Sequence, residues 1–194
     1  METNVFDAGF AFTIQHEGRD STDPDDPGNW TGGLVGVGEF KGTRYGISAA
    51  AFPHIDIQTL TLPLVRDLHF IHYWVPSGAG RFADYAPDLS CRLYDLAVNC
   101  GVYGATKMLQ RGVNTVCTGH VLPRRRAAWR QTIATLLNGK ALLVDGKVGP
   151  ITEEVIRACP HRPALLMALK GEAYKHYSVL DPANRAGWLN RLAA

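Results

Sequence analysis

The stretch HEGRDSTDPDDPG, residues 16–28, is the part of this sequence from which the rest of the chain is best interpreted. An amphipathic helix is predicted directly before it, over residues 4–17, because apolar residues recur there at helical spacing. Glu17 falls on the axis of that apolar face, in the last turn before Gly18. The apolar residues that share the face are Phe6, Phe10 and Ile14.

The position of Glu17 predicts an unusual carboxyl group. Facing an apolar core removes water from the carboxylate, and the C-terminal end of a helix is a poor place for a negative charge. Both effects raise the pKa, and a carboxylic acid that is still protonated near neutral pH can act as a general acid. The alternative is an ordinary Glu17 that reaches water or pairs with Arg19 or Lys41.

Composition limits the possible functions. The chain has 194 residues, of which 46% are hydrophobic and 20% charged, a globular balance, and the net charge of +2 gives no reason to expect a nucleic-acid partner. No apolar run is long enough for stable membrane insertion. The four cysteines lack metal-ligand spacing, so we expect reduced thiols and no metal. We also expect no cofactor and a monomer.

The patterning predicts a mainly α fold, a helical bundle with one small β-hairpin region after the first helix. The glycine-rich residues 32–40 are the expected hairpin. We expect a single domain, 1–194, with a catalytic segment at 1–90 and a helical segment at 91–194 packed against it. Further helices are predicted over residues 60–75, 87–101, 105–113, 123–137, 152–158 and 163–179.

Glu17 and Asp26 form a candidate catalytic pair, since a turn-rich loop can bring the second carboxylate back towards the first. Glycosidic cleavage uses two such groups: one protonates the leaving oxygen, and the other orients a water or stabilises the charge on the sugar. Thr31 and Thr43 are candidates for holding that water. The alternatives are a solvated Asp-Pro turn or a loose calcium loop, although the EF-hand spacing is absent.

Other chemistries have weaker support. His69 and His72 have the i, i+3 spacing of metal ligands, but no third ligand is suitably placed for a zinc amidase. No cysteine lies in a recognisable nucleophile turn, which argues against a cysteine peptidase. The arginines at positions 124–126 and 130 are read as a solvated helix face, with an anionic polymer or membrane surface as the alternative.

Several motifs in collinear order resemble glycoside hydrolase family 108, whose members are N-acetylmuramidases found as phage endolysins and bacterial cell-wall enzymes. The second half of the chain is similar to the predicted peptidoglycan domain that accompanies this catalytic segment. The matching stretches are Glu17-Gly18, DPDDPGNWT at 23–31, TRYGIS at 43–48, Tyr73-Trp74, LYDLAVNCG at 93–101, Leu109-Gln110, DGKVGPIT at 145–152 and GWLNRL at 187–192.

The resemblance implies a lysozyme-like fold that cleaves the β-1,4 bond between N-acetylmuramic acid and N-acetylglucosamine in peptidoglycan glycan strands. It implies Glu17 as the catalytic acid and Asp26 as the second carboxylate. Thr43 is favoured over Thr31 as the site threonine because it keeps the Gly-Ile frame of the family. The family's usual Glu-Gly-Gly-Tyr reads Glu-Gly-Arg-Asp here, which changes the neighbours of the acid.

Substrate contacts are expected along a groove between the Glu17 helix with its loop and the later helical half. Three aromatic side chains can stack on sugar rings: Trp30, Tyr45 and Trp74. Each has a position in the core as its alternative, and this alternative is strongest for Trp74. Asp95 and Asn99 can bind N-acetyl or hydroxyl groups, or else make hydrogen bonds inside the protein.

The expected site of action is the cell wall. No signal peptide is recognised, so we expect synthesis in the cytoplasm and a bacteriolytic action in the periplasm after holin-type release or dedicated export. Two other functions stay open: a non-catalytic peptidoglycan-binding protein, and a lytic transglycosylase that uses Glu17 alone and leaves an anhydro sugar.

Overall fold

The computed structural model describes residues 2–16, 20–118, 128–180 and 182–194. Three sequence predictions concern residues outside these ranges. Glu17, the predicted acid, lies outside the described residues, as do Arg19 and the arginines at 124–126.

Helices dominate the described chain, with a single two-stranded sheet among its described residues, so the predicted mainly α, lysozyme-like fold class is confirmed. None of the described helices is both long enough and apolar enough to span a membrane. The α-helices are α1 (Glu2–His16), α2 (Leu62–His69), α3 (Val75–Ser77), α4 (Pro87–Cys100), α5 (Val102–Val113), α6 (Ala128–Leu136), α7 (Pro150–Ala158), α8 (Arg162–Ser178) and α9 (Pro182–Ala193). The strands are β1 (Thr43–Arg44) and β2 (Ile47–Ser48), and shorter 3₁₀ turns cover Pro27–Asn29, Ile57–Thr59 and Ala79–Phe82.

The chain forms two compact units. Residues 10–71 form one, called the loop unit below, and residues 1–9 with 72–194 form the other, called the helical unit. The predicted division into segments 1–90 and 91–194 stays a prediction.

The hairpin lies later in the chain than predicted. β1 pairs antiparallel with β2, Thr43 opposite Ser48, and the turn residues Tyr45 and Gly46 both have positive φ, 51° and 76°. This is the two-residue turn whose twist suits a hairpin. Residues 32–40, by contrast, form no regular strand pair: glycines there adopt positive φ, and the pairing recorded at the ends of the segment is an isolated bridge between Trp30 and Phe40.

The helical unit is built around α4, which the sequence predicts correctly from Pro87 to its end before Gly101. Its inward side chains, Leu89, Leu93 and Leu96, are almost fully buried. α8 contributes Leu165, Leu169, Ala173 and Tyr177 to the same core, as its spacing predicts. Helix burial of this kind supplies most of the stability of short helices, because isolated ones are marginal in water.

An aromatic cluster joins the first residues of α1 to this core. The Phe6 ring meets Trp74 edge-on at 5.3 Å and Tyr94 at 5.5 Å between centroids, and all three side chains are fully buried. Such edge-to-face pairs add to the free energy gained from area burial alone. Trp74 is therefore a core residue of the helical unit, which is the structural alternative to its sugar-stacking role.

The helix predicted over residues 60–75 is interrupted. α2 ends at His69, a π-helical turn covers Phe70–Trp74, and the short α3 contains Pro76. Proline lacks the N–H that a regular α-helical ladder needs, which favours an irregular connection at this point.

Candidate active site

The acidic loop after α1 folds into two consecutive turns. Asp23 begins the first: its carbonyl accepts from Asp26 N (3.3 Å), and its side chain accepts from Asp25 N (2.9 Å). An Asp whose side chain binds the backbone two residues later, followed by Pro, is the usual composition of such a turn. The local sequence Asp-Pro-Asp-Asp therefore determines the conformation of the turn that leads to Asp26.

Asp26, the predicted second carboxylate, caps the 3₁₀ turn Pro27–Asn29. Its Oδ1 accepts from Gly28 N at 2.8 Å, and the side chain is half-buried. Within the part of the chain that the structure describes, Oδ2 of Asp26 has no hydrogen-bond partner. One oxygen thus fixes the orientation of the carboxylate and the other is available for a water or a sugar.

Asn29 is the polar centre of the loop unit, and the sequence analysis does not identify it. The side chain is fully buried. Its Nδ2 donates to Ser21 Oγ (3.0 Å) and to the Asp23 carbonyl (2.9 Å), while its Oδ1 accepts the Thr43 hydroxyl proton at 2.7 Å. A buried amide with partners at both ends holds three chain segments together, because losing any one contact leaves a buried polar group unsatisfied.

Thr43 is also held through its backbone. Thr43 and Ser21 exchange both backbone hydrogen bonds, each at 2.9 Å, as an isolated antiparallel bridge. Gly42 makes this approach possible, because it has φ of 81° and a Cβ there would lie 2.7 Å from the Ser21 carbonyl oxygen. The segment that follows the predicted acid is thereby fixed to Thr43.

Thr31, the other candidate threonine, has a different environment. Its hydroxyl accepts from Glu39 N at 2.8 Å, and its backbone N donates to the Glu39 carbonyl at 2.9 Å. Both contacts join the two ends of the loop formed by residues 32–40. A Cβ on Gly38 would collide with the Thr31 hydroxyl, so this arrangement depends on glycine at position 38.

The two aromatic candidates lie in the loop unit and are half-buried. Trp30 donates its indole N–H to the Pro24 carbonyl at 2.8 Å and packs on Phe40 with centroids 5.2 Å apart. Tyr45 is in the hairpin turn, with the Arg44 guanidinium 5.2 Å above its ring. Both rings thus have one side occupied by a neighbour.

His69 supports the hairpin from within the same unit. It is fully buried, its Nε2 lies 3.2 Å from the Tyr45 carbonyl oxygen, and its ring meets Phe10 edge-on at 5.4 Å. This is a core histidine that links α2 to the turn, whereas His72 is exposed. No group of three or more potential metal-ligating side chains is found among the described residues.

The surroundings of Glu17 are described only up to His16. Phe10 and Thr13, the residues seven and four positions before Glu17, are both buried. Thr13 on the buried face is missed by the sequence analysis, which places Ile14 there; Ile14 is half-buried. Lys41, a possible ion partner of Glu17, contacts Glu39 (3.1 Å) and donates to the Pro53 carbonyl (2.7 Å).

Asp95 and Asn99 belong to the helical unit, and their observed contacts are internal. Asp95 is buried, with Oδ1 accepting two bonds from Arg191 (2.7 and 3.0 Å) and Oδ2 one from Arg92 (3.2 Å). The Asn99 amide donates back to the Asp95 carbonyl at 2.7 Å. This geometry favours the internal role over a role in binding sugar.

The motif DGKVGPIT contains a second ordered loop in the helical unit. Gln110 donates to Asp145 Oδ1 (2.7 Å) and to the Lys147 carbonyl (3.0 Å), and it accepts from Gly146 N (2.8 Å). Thr106 donates to the Gly146 carbonyl at 2.7 Å. The bond from Gln110, with help from Lys147 N, lowers the pKa of Asp145 below its ordinary value.

Comparisons with known proteins bear on the fold and on the family resemblance. The structure resembles a solved structure described as Brucella abortus SagA, with a TM-score of 0.68 and 18% sequence identity, over 98% of this chain and 91% of that one. At this identity the likeness establishes the fold. No curated protein matches the chain. The sequence model of the family Glycosyl hydrolase 108 matches residues 10–101, which include the loop unit and α4. The resemblance to this family is confirmed over this part of the chain.

Proposed function

We propose that this protein is a peptidoglycan hydrolase, an N-acetylmuramidase that cleaves the β-1,4 bond between N-acetylmuramic acid and N-acetylglucosamine. The family match over residues 10–101 carries the proposal. It covers every residue to which we assign chemistry, and the sequence resemblance supplies the muramidase specificity.

Glu17 is the proposed general acid. It follows a helix whose buried face includes Phe10 and Thr13, and this burial supports an apolar setting for a carboxyl group at the next turn. A desolvated carboxyl keeps its proton to higher pH, and in this mechanism it passes that proton to the glycosidic oxygen as the bond breaks.

Asp26 is the proposed base or charge stabiliser, and Thr43 the proposed residue that holds the water. The cap bond to Gly28 orients Asp26 while leaving Oδ2 for the reaction. Thr43 is preferred over Thr31 because the Ser21 bridge and the Asn29 bond fix it to the segment next to Glu17. Water then adds to the anomeric carbon, its proton goes to the base, and a reducing muramic end remains.

We also propose the cell wall as the site of action, because the proposed substrate is peptidoglycan. We propose that the protein reaches it by holin-type release or by dedicated export. Release of soluble fragments from a wall suspension, with the protein added from outside, tests this lytic action directly.

The decisive experiment is digestion of purified peptidoglycan by the wild type, Glu17→Gln and Asp26→Asn, with mass spectrometry of the products. Removing a general acid or base lowers the rate by roughly 10² to 10⁴-fold, so both variants should be nearly inactive. Asp25→Asn is the matched control, because Asp25 is an exposed neighbour in the same loop.

Each outcome of this digestion experiment supports one interpretation. Reducing muramic ends support the hydrolase, whereas anhydro ends identify a lytic transglycosylase that needs no second carboxylate. If the wild type binds peptidoglycan and releases nothing, the protein is a wall-binding protein. If Glu17→Gln digests as fast as the wild type, the assignment of the acid is wrong.

A further inference from the structure

The N-terminal end of α7 has polar groups that the fold leaves without partners. Gly149 is the N-cap residue and offers no side chain to the helix end. The backbone N–H groups of Ile151 and Thr152 donate to no acceptor in the part of the chain that the structure describes. Free N–H groups and the helix dipole together make such an end favourable for an anion.

The Thr152 side chain is a second, independent sign of a ligand site. Only 3% of the residue is exposed, and its hydroxyl makes no hydrogen bond within the described residues. The hydroxyl oxygen is still accessible, because the fully buried side-chain atoms without a partner in the described chain are arginine nitrogens. Helical side chains lean towards the N-terminus of their helix, so this hydroxyl lies at the same end as the free N–H groups.

These groups line a cavity of about 370 Å³ in the helical unit. Cavities of roughly 300–1,000 Å³ are typical of small-molecule sites. Lys140 and Lys147 add positive charge to the lining. One wall is apolar, and it is formed by Leu136, Leu137, Leu142, Leu143 and Ile151.

Asp145 lines the same cavity and supplies an acceptor for a hydrogen bond. Its Oδ1 accepts from Gln110 and from Lys147 N, whereas Oδ2 has no partner among the described residues. Because its pKa is lowered, the carboxyl group stays ionised at neutral pH. Glu153, the acid of the first turn of α7, does not line the cavity and pairs with two arginines instead.

We propose that this cavity binds the carboxylate end of a short apolar peptide. The carboxylate accepts from the N–H groups of Ile151 and Thr152 and from the Thr152 hydroxyl, and the two lysines attract it. The last side chain of the peptide packs on the apolar wall, and a peptide N–H donates to Asp145 Oδ2. Inorganic phosphate lacks the apolar part and a fatty acid lacks the N–H donor, so a peptide end matches the lining best.

The proposal does not depend on the glycosidase activity, because every residue that it uses lies outside the loop unit. Failure of the digestion experiment would leave it unaffected, and the reverse also holds. The C-terminal end of a protein and the end of a wall peptide share this chemistry but differ in the chirality of their residues. Dipeptides of L-alanine and of D-alanine therefore distinguish the two sources.

The test measures binding of N-acetyl-dialanine, in the L and D forms, to the full chain by calorimetry and by amide NMR. We expect a millimolar or lower Kd that rises with salt, with large shifts of the Ile151 and Thr152 amide signals. Tighter binding of the L form identifies a protein end, and tighter binding of the D form a wall peptide. No binding up to about 10 mM, or equal binding of the uncharged C-terminal amides, of acetate or of phosphate, would overturn the proposal.

Gly149 allows a variant that blocks the site from within. Its φ is −101°, and a Cβ there would meet nothing within 4 Å, so a side chain fits without strain. Gly149→Asp places a carboxylate on the free N–H groups, which should abolish dipeptide binding without lowering the melting temperature. Gly149→Ala, the matched control, adds the Cβ alone and should bind nearly as the wild type does. Unchanged binding by Gly149→Asp would contradict the proposal.

Thr152→Val separates a ligand contact from a structural one. Since the hydroxyl has no partner inside the described chain, valine leaves no buried group unsatisfied and the melting temperature should not fall. The Kd for the dipeptide should rise roughly tenfold or more, while Thr152→Ser should restore binding. A lowered melting temperature with unchanged Kd would assign the hydroxyl to the fold and refute its role in binding.

Discussion

At the residue scale, the loop unit depends on a few polar side chains whose hydrogen bonds are made inside the protein. Asn29 uses both ends of its amide, and Thr43 donates to it while pairing with Ser21 through the backbone. Thr31 has the same chemistry but serves a separate excursion of the chain. We therefore expect the two threonines to contribute differently to stability and to catalysis, and experiments can separate these contributions.

We predict that Thr43→Val is more damaging than Thr31→Val. Valine keeps the shape of threonine, but at position 43 it leaves the buried Asn29 Oδ1 without its donor, which should cost about 1–3 kcal/mol of unfolding free energy. If Thr43 also holds the water, turnover of purified peptidoglycan falls about tenfold or more. Urea unfolding and initial rates of digestion measure the two effects.

Thr31→Val is the matched control for that prediction. Its hydroxyl accepts one backbone N–H in an exposed excursion, so we expect a loss of about 1 kcal/mol or less and turnover close to that of the wild type. A larger loss of turnover for Thr31→Val than for Thr43→Val would transfer the site role to Thr31.

Sequence alone identifies Asp26 and Thr43 as candidates but does not identify Asn29. In Asp-Pro-Gly-Asn an asparagine is typical of an exposed turn. Its burial arises only when Ser21 and Thr43, which lie eight residues before it and fourteen after it, come together on the amide. No local pattern encodes such a contact.

At the element scale, two glycines with the same backbone conformation have different surroundings. Gly42 and Gly36 have φ of 81° and 77°. A Cβ on Gly42 would lie 2.7 Å from the Ser21 carbonyl oxygen, whereas one on Gly36 would have nothing within 4 Å. Substitution by alanine therefore separates conformational strain from steric clash.

We predict that Gly42→Ala destabilises the protein clearly more than Gly36→Ala. Both variants bear the cost of a non-glycine residue at positive φ, about 1 kcal/mol, while Gly42→Ala also forces the Ser21–Thr43 bridge apart at a further 1–3 kcal/mol or so. Chemical unfolding of the two variants measures the difference. Equal losses would show that the bridge has room to adjust.

The loop around Asp145 offers a prediction about pH. Its pKa is lowered in the folded protein from the ordinary value of 3.8, mainly by Gln110. A lowered carboxyl pKa stabilises the fold above pH 3.8, and this stabilisation is lost as the pH falls from 3.8 through the folded pKa. At pH 6 the free energy of unfolding should be larger for the wild type than for Asp145→Asn. This difference should be smaller at pH 2.5.

Glu153 gives a control for this measurement. It is a partly buried acid of α7 that pairs with Arg157 at 2.9 Å and Arg81 at 3.3 Å, with no contact to Gln110. Gln110→Ala should reduce the pH-dependent difference at Asp145, leaving the part due to the Lys147 N–H, and should leave the effect of Glu153→Gln unchanged. If the stability difference at Asp145 is undiminished in Gln110→Ala, the bond from Gln110 is not its main cause.

Helix positions were more predictable than the hairpin for a physical reason. α4 and α8 have apolar residues at regular spacing and clear boundaries such as Pro87 and Gly101, so local sequence determines them. The hairpin depends on Tyr45 adopting φ of 51°, which a non-glycine residue accepts only in a supporting context. Part of that context is His69, which contacts the Tyr45 carbonyl from α2.

At the scale of the whole molecule, the helical unit contains a buried ionic cluster that the sequence analysis placed near the substrate. Asp95 accepts from Arg191 and Arg92, and all three side chains are largely buried. α9 is thereby tied to α4 across nearly a hundred residues of sequence. Sequence spacing shows Asp95 on a polar face of α4 but cannot show which cations will meet it there.

We therefore predict that Asp95→Asn lowers stability without changing the affinity for glycan. Removing the carboxylate leaves two buried guanidinium groups without their anion, which should cost about 3–5 kcal/mol of unfolding free energy. Measured well below the melting temperature of the variant, KM for soluble peptidoglycan fragments should match that of the wild type. Asp88→Asn, an exposed substitution in the first turn of the same helix, should cost only about 0.5 kcal/mol. A raised KM with unchanged stability would instead return Asp95 to the substrate site, because a sugar contact contributes to binding and an internal ion pair contributes to folding.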